Sequence, residues 1–310
     1  MSDVTYKPEG MLITTSENSE YVSSISGLER ARISGKILEA RTLLCDRGHN
    51  LIVELPGVKG IIPREETVIG ISEGLVRDVA ILTRVNKPVC FKVSSLLKQP
   101  DGSTVALLSR KQAQMECMEN YVKMLEYGQI VDARVTHLEP FGCFADIGCG
   151  IIALLSIDNI SVSRISHPCD RFFSGENIKA VIKSRDEDTN RINLSHKELL
   201  GTWEENSARF AAGQTVAGII RSVEDYGIFV ELTPNLAGLA EFRPGSKVGQ
   251  YTSVFIKSIT PERMKIKLII VDSFDAAYDL IPMDYFLTEG KLDKWIYSPE
   301  RCTRVIETIF

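Results

Sequence analysis

The sequence predicts a mainly β chain of three small barrels in tandem, with about five strands each, joined by helices. Three observations carry that prediction. Phe141-Gly142-Cys143-Phe144 is answered by Tyr226-Gly227-Ile228-Phe229. Gly128-Gln129-Ile130-Val131 and Gly213-Gln214-Thr215-Val216 precede these stretches, so that 128 maps to 213 at the same interval as 141 to 226. Leu108-Ser109-Arg110-Lys111 and Leu194-Ser195-His196-Lys197 close the first and second units at nearly that interval again. Self-similarity at a fixed interval outranks every local signal, because each repeat is one folding unit.

The elements follow in order. Residues 1–27 form a lead-in, of which 1–19, rich in Ser, Thr and Glu, read as mobile. A short helix over about 20–34 follows from Tyr21, Val22, Ile25 and Leu28 at helical spacing. The first unit spans 28–127. Its apolar runs at 36–44, 51–55, 58–62, 76–85, 89–97 and 104–109 read as strands, with Arg47-Gly48-His49-Asn50, Pro56-Gly57 and Asp101-Gly102 as turns. A helix from Lys111 to Glu126 stops at Gly128. The second unit, 128–212, has strands at 130–138, 143–147, 151–155, 178–183 and 191–195, then a linking helix over 197–211. On that helix Trp203 and Phe210 are seven apart and read as packing between barrels. The third unit, 213–271, repeats the strands at 216–223, 228–232, 238–242, 252–259 and 264–271. It is shorter than the second, and the whole shortfall lies in the loop after its third strand. Units of this kind are expected to be OB-type barrels. Residues 272–310 do not repeat. Their Tyr278, Tyr285, Phe286, Trp295 and Tyr297 predict a tail packed on the third barrel, with a terminal helix over 299–309.

Bulk properties narrow the function. The chain has 310 residues, 44% hydrophobic and 25% charged, as in an ordinary globular protein. No apolar run reaches the roughly 18 residues of a membrane span, and residues 1–20 lack the basic and apolar regions of a secretory signal. Seven cysteines without a Cys-x-x-Cys spacing argue against a disulfide framework or a zinc site and fit a reducing cytoplasm. Net charge is −5, but residues 28–127 are +3 and 213–272 are +1, while the two tails are −3 each. Binding to a nucleic acid would therefore rest on a local patch and on stacking rather than on a general basic field.

Aromatic-Gly-x-Phe has strand periodicity, so both rings share one face. Such a pair is either core or a platform on which bases stack. Gly128, Phe141-Gly142-Cys143-Phe144, Ala153-Leu154, Gly175 and Arg191-Ile192-Asn193-Leu194-Ser195-His196-Lys197 together resemble the RNA-binding motif of the ribosomal protein S-one family. The third unit matches with Gly213, Tyr226 to Phe229, Gly238-Leu239, Gly249 and Lys265-Ile266-Lys267-Leu268. The resemblance covers about 35–271, most fully in the second unit, and is similar to the short homologues of Gram-positive anaerobes. It implies an RNA-facing surface of Phe141, Phe144, Asp186 and Arg191 in the second barrel. Ser156 stands where the family has His. In the third barrel it implies Tyr226, Phe229 and Lys265, with Glu241 at the His position and Lys265 at the Arg position. The first barrel has Arg47, Gly48 and His49 at the aromatic turn and no ring pair, which fits protein docking better than RNA reading.

The implied function is non-enzymatic: single-stranded RNA, mRNA above all, bound in translation at the small ribosomal subunit, in the cytoplasm. No cofactor, metal, membrane or small-molecule substrate is expected. Asp186-Glu187-Asp188 reads as turn chemistry rather than a metal site. His137, His167 and His196 share no ligand spacing with the cysteines. No phosphate loop or nucleophile elbow is present. The alternatives are a regulatory RNA-binding factor off the ribosome, and a docking scaffold that has lost much of its RNA affinity. A nuclease with barrels as substrate arms is disfavoured because the barrels leave no catalytic body.

Overall fold

The computed structural model describes residues 6–186, 191–275 and 283–310. The chain divides into two compact units: one is the chain up to Leu125 with Asp132–Arg134 and Asp146–Ile152, and the other is Glu126–Val131, Val135–Ala145 and the chain from Ala153 onward.

The first unit opens with α1 (Ser16–Val22) and α2 (Ile25–Ser34). The Thr15 and Ser24 side chains cap them by accepting from the Asn18 and Gly27 amides. In the lead-in expected to be mobile, residues 7–13 are held by specific contacts. Glu9 is only 5% exposed, and its carboxylate accepts from Arg110 Nε at 2.6 Å and Nη2 at 2.9 Å. Lys7 Nζ lies 2.6 Å from Asp132 Oδ2. The Glu39 carboxylate accepts the amides of Gly10, Leu12 and Ile13. Composition alone suggested mobility, because the charges that tie the segment down are far away in sequence.

The first barrel follows: β1 (Leu38–Cys45), β2 (Leu51–Leu55), β3 (Val58–Ile62), the short α3 (Val79–Leu82), β4 (Pro88–Lys98) and β5 (Thr104–Ser109). It closes in the order β1-β2-β3-β5-β4 around Leu38, Leu51, Ile62, Phe91 and Leu108. The strand expected at 76–85 is a correction. That run forms α3, which buries Ile81 and exposes Val79 and Leu82. A short apolar run cannot be told from a helix by periodicity alone. α4 (Arg110–Asn120) then runs shorter than the expected 111–126, with a 3-10 turn at Val122–Met124.

The second barrel comprises β6 (Ile130–Glu139), β7 (Gly142–Asp146), β8 (Ile152–Ser156), β9 (Asn177–Arg185) and β10 (Ile192–Ser195), closed as β10-β8-β7-β6-β9. The linking helix expected over 197–211 breaks in two: a 3-10 turn at Lys197–Leu200, then α5 (Trp203–Ser207). Gly201 sits between them at φ +81°, and a Cβ there would meet Phe286 at 2.7 Å. Thr202 and Glu205 form a capping box that restarts the helix.

The third barrel is β11 (Thr215–Glu224), β12 (Gly227–Thr233), β13 (Leu236–Ala240), β14 (Tyr251–Thr260) and β15 (Lys265–Phe274), closed as β11-β12-β13-β15-β14. Its core joins Ile228, Val230, Val254, Ile256 and Leu268 to Trp203 of α5 and to Trp295 and Tyr297 of the tail. The helix expected over 299–309 is also corrected: Glu307–Ile309 is a strand, β17, paired antiparallel with β16 (Lys294–Ile296). The run Thr303-Arg304-Val305-Ile306 is β-branched apart from its Arg, which suits extended backbone better than a helix. Tyr278 lies outside the described residues. All seven cysteines are free thiols.

Candidate nucleic-acid interface

Along β7, Cys143 and Ala145 are buried and Phe144 between them is half-buried, so strand alternation turns Phe144 outward. Phe141, in the turn before the strand, is 55% exposed. The two rings meet edge to face, with centroids 6.1 Å apart and planes at 84°. The third barrel reproduces the arrangement: Tyr226 is 70% exposed, and its ring lies 6.2 Å from that of Phe229 at 86°. The glycine between the rings has a packing reason. A Cβ on Gly142 would lie 2.4 Å from the Leu155 carbonyl oxygen, and one on Gly227 would lie 2.5 Å from that of Ala240. Only glycine lets the ring-bearing strand cross its neighbour this closely.

Around Phe141 and Phe144, Ser156 Oγ accepts from Asn159 Nδ2 at 2.7 Å, and Asn159 Oδ1 accepts from Lys183 Nζ at 2.9 Å. Asp186 and Arg191 are both exposed and close the β9–β10 hairpin through a backbone bond, Asp186 N–H to Arg191 oxygen, at 2.9 Å. Ser156 thus ends β8, and Asp186 and Arg191 stand where the β9–β10 hairpin begins and ends. Glu187 and Asp188 lie outside the described residues. Among the described residues, no group of His, Cys, Asp and Glu could hold a metal ion.

In the third barrel the register gives an outward row. Ser222 pairs with Phe229, Phe229 with Leu239, Leu239 with Lys267, and Lys267 with Ser258. The second barrel has the matching positions Leu154, Asn193 and Ser184 in register. On the first barrel the same row reads Leu44, Ile52, Ile61, Leu107 and Ser95, aliphatic where the others carry a ring and a polar group. Lys265, the cation expected from the motif, is exposed and pairs with Thr260 at the hairpin end. Asn159, Lys183, Asn193 and Lys267 were not foreseen. The last two follow from Arg191 and Lys265 by counting two positions along the strand, but only the register shows that they lie in the ring's row.

Behind these surfaces the second unit is tied together by buried charge. Arg171 pairs with Glu231, Arg221 Nε lies 2.9 Å from Glu231 Oε2, and Arg221 Nη1 lies 3.4 Å from Asp170 Oδ1. Burial pulls the Arg171 pKa below its ordinary value, against the Glu231 carboxylate that raises it. A cavity of about 350 Å³ opens beside this network, lined in part by Arg209, Tyr251 and Phe286, and none of the ring-pair residues borders it.

Residues 125–197, the second barrel, match the S1 RNA binding domain family. Small ribosomal subunit protein bS1 of Staphylococcus aureus (strain COL) is 28% identical over 277 residues, covering 84% of this chain and 68% of that protein. The bS1 protein of Leuconostoc lactis is 28% identical over 249 residues, covering 76% of this chain and 56% of that protein. A solved multidomain protein with nucleic acid binding domains from Streptococcus pneumoniae is 15% identical, over 79% of this chain and 76% of that one, at a TM-score of 0.24. With closed barrels on either side of its matched domain, the chain is a multi-barrel protein that carries an S1 RNA-binding domain and resembles small ribosomal subunit protein bS1 over most of its length.

Proposed function

We propose that the protein binds single-stranded RNA, mRNA in particular, in translation at the small ribosomal subunit, in the cytoplasm and without catalysing a reaction. Bases stack on Phe141 and Phe144 of the second barrel and on Tyr226 and Phe229 of the third. Asp186 and Arg191 supply an acceptor and a cation beside the first platform, and Ser156 a hydroxyl; Lys265 supplies the cation beside the second. The observation that carries this reading is the duplicated ring pair. Two solvent-facing edge-to-face pairs, 6.1 Å and 6.2 Å between centroids, recur at matching places in successive repeats. An exposed ring has no folding reason to be repeated in that geometry, whereas every base offers a face to stack on.

Stacking contributes about 1–3 kcal/mol per base. The double variant Phe141→Ala/Phe144→Ala is therefore expected to weaken binding of a labelled RNA of about 12 nucleotides by at least tenfold in fluorescence anisotropy. Unchanged affinity with an intact fold would refute the platform. Co-sedimentation with small subunits separates the ribosomal role from that of a free RNA-binding factor. The aliphatic row Leu44, Ile52, Ile61 and Leu107 supports a second role for the first barrel, contact with a protein rather than stacking of bases. No helix among the described residues is long and apolar enough to cross a membrane.

A further inference from the structure

The β9–β10 hairpin of the second barrel and the β14–β15 hairpin of the third are the same element in successive repeats. They are charged differently. Residues 183–193 set Lys183, Arg185 and Arg191 against Asp186, Glu187 and Asp188, for no net charge. Residues 257–267 set Lys257, Arg263, Lys265 and Lys267 against Glu262 alone, a net charge of +3. Thr260 replaces the acceptor Asp186 at the matching place.

Register decides where this charge lies. Lys267 pairs with Leu239, which pairs with Phe229. The Lys267 strand is therefore two strand spacings, about 10 Å, from the ring's strand. Lys257, Lys265 and Lys267 are exposed, and no ion pair holds them among the described residues. In the second barrel Asn193 takes the Lys267 position beside Leu154, and its Nδ2 donates to Ser184 Oγ at 3.1 Å. That bond orients an amide, which offers both a donor and an acceptor.

We propose that the two barrels divide the recognition of one RNA strand. The third grips phosphates with Lys257, Lys265 and Lys267 beside the Tyr226 and Phe229 platform. The second reads base edges with Asn193 and Ser184 beside the Phe144 ring. An ammonium is a point charge that suits phosphate and carries no sequence information. An oriented amide distinguishes base edges and adds little to salt dependence. The exposed Glu241 past β13 reduces the third barrel's field but does not cancel a hairpin of +3.

The inference rests on the RNA-binding reading and is tested so that the two can fail separately. Anisotropy is measured on the full chain with U, A and C homopolymers of about 12 nucleotides, across a series of salt concentrations spanning the physiological one. Each phosphate neutralised on a single strand adds about 0.7 to the slope of log K against log salt. Lys265→Gln/Lys267→Gln is expected to flatten that slope by about 1.4 and to weaken all three homopolymers by the same factor. Asn193→Ala is expected to leave the slope alone and to change the ranking of the homopolymers. A lysine variant with an unaltered slope, or an Asn193→Ala variant with an unaltered ranking, overturns the division. Should Phe141→Ala/Phe144→Ala bind as the parent does, or the parent not bind at all, the RNA-binding reading itself fails.

Discussion

His196 sits at the point where the repeat ends and the packing of the second unit begins. It is fully buried; its Nδ1 donates to the Ile160 oxygen at 2.8 Å, and its Nε2 accepts from the Tyr285 hydroxyl at 3.0 Å. The second bond needs the neutral ring, whereas the first survives protonation and opposes the fall in pKa. Burial, together with Arg171 nearby, lowers its pKa to about 4. An unfolded imidazole takes its proton near pH ~6.5, so acidification from there towards 4 protonates the unfolded chain first and removes stability. At pH 5 the loss is about 2 kcal/mol. Glu39 and Asp146 in the first unit run the other way, because burial pushes both carboxyls up to about 7 and their folded forms are favoured as pH falls. The two tryptophans, Trp203 and Trp295, both belong to the second unit, so their fluorescence isolates its response. Urea unfolding followed by that fluorescence should show a lower midpoint at pH 5 than at pH 7; an unchanged midpoint would mean His196 is not held neutral. None of this was legible beforehand. In the sequence His196 stands within the family motif, and its partners Ile160 and Tyr285 are distant along the chain. Phe141 and Phe144 were legible because a duplicated local motif needs no tertiary information.

At the scale of elements, the strands of the second and third barrels were readable and the connections were not. Strand identity follows from alternation over a short stretch, as in the buried Cys143 and Ala145 flanking Phe144. The linker after β10 read as one helix because Gly201 is a single weak signal, and the Phe286 ring that occupies the place of a Cβ there lies far along the chain. The tail read as a helix because its role is tertiary. Trp295 is 6% exposed and Tyr297 5%, both in the core of the third barrel, and the Trp203 amide donates to the Tyr297 oxygen at 3.0 Å. The tail thus adds two buried aromatics to the core of the third barrel. Burying a tryptophan ring is worth roughly 3–5 kcal/mol on truncation. Trp295→Ala should destabilise the second unit by that order in denaturant unfolding, with Trp203 as reporter. A loss under about 1 kcal/mol would show the tail to be an appendage.

For the molecule as a whole, the question is how a chain of net charge −5 holds a polyanion. A general basic field is absent, so affinity must come from separate local contacts held together. The second unit supplies the means. It contains both ring pairs, and the Arg171–Glu231–Arg221 network and the tail run through it. When two sites on one body bind one strand, the second binding event proceeds at the effective concentration the first creates. That benefit exists only for RNA long enough to reach both. An OB-type barrel covers about 4–16 nucleotides. A strand of about six should then engage one platform at a time, and Tyr226→Ala/Phe229→Ala should lower its affinity only about twofold, by removing one of two alternatives. For a strand of about 24 nucleotides the same variant removes the linked contact, and the loss should rise to roughly the 10²-fold range or beyond. The lengths are compared by anisotropy at one salt concentration, because phosphate contacts make affinities at different salt incommensurable. Equal losses at both lengths would mean that the platforms serve separate strands, and the acidic chain would have to hold each one with a single barrel.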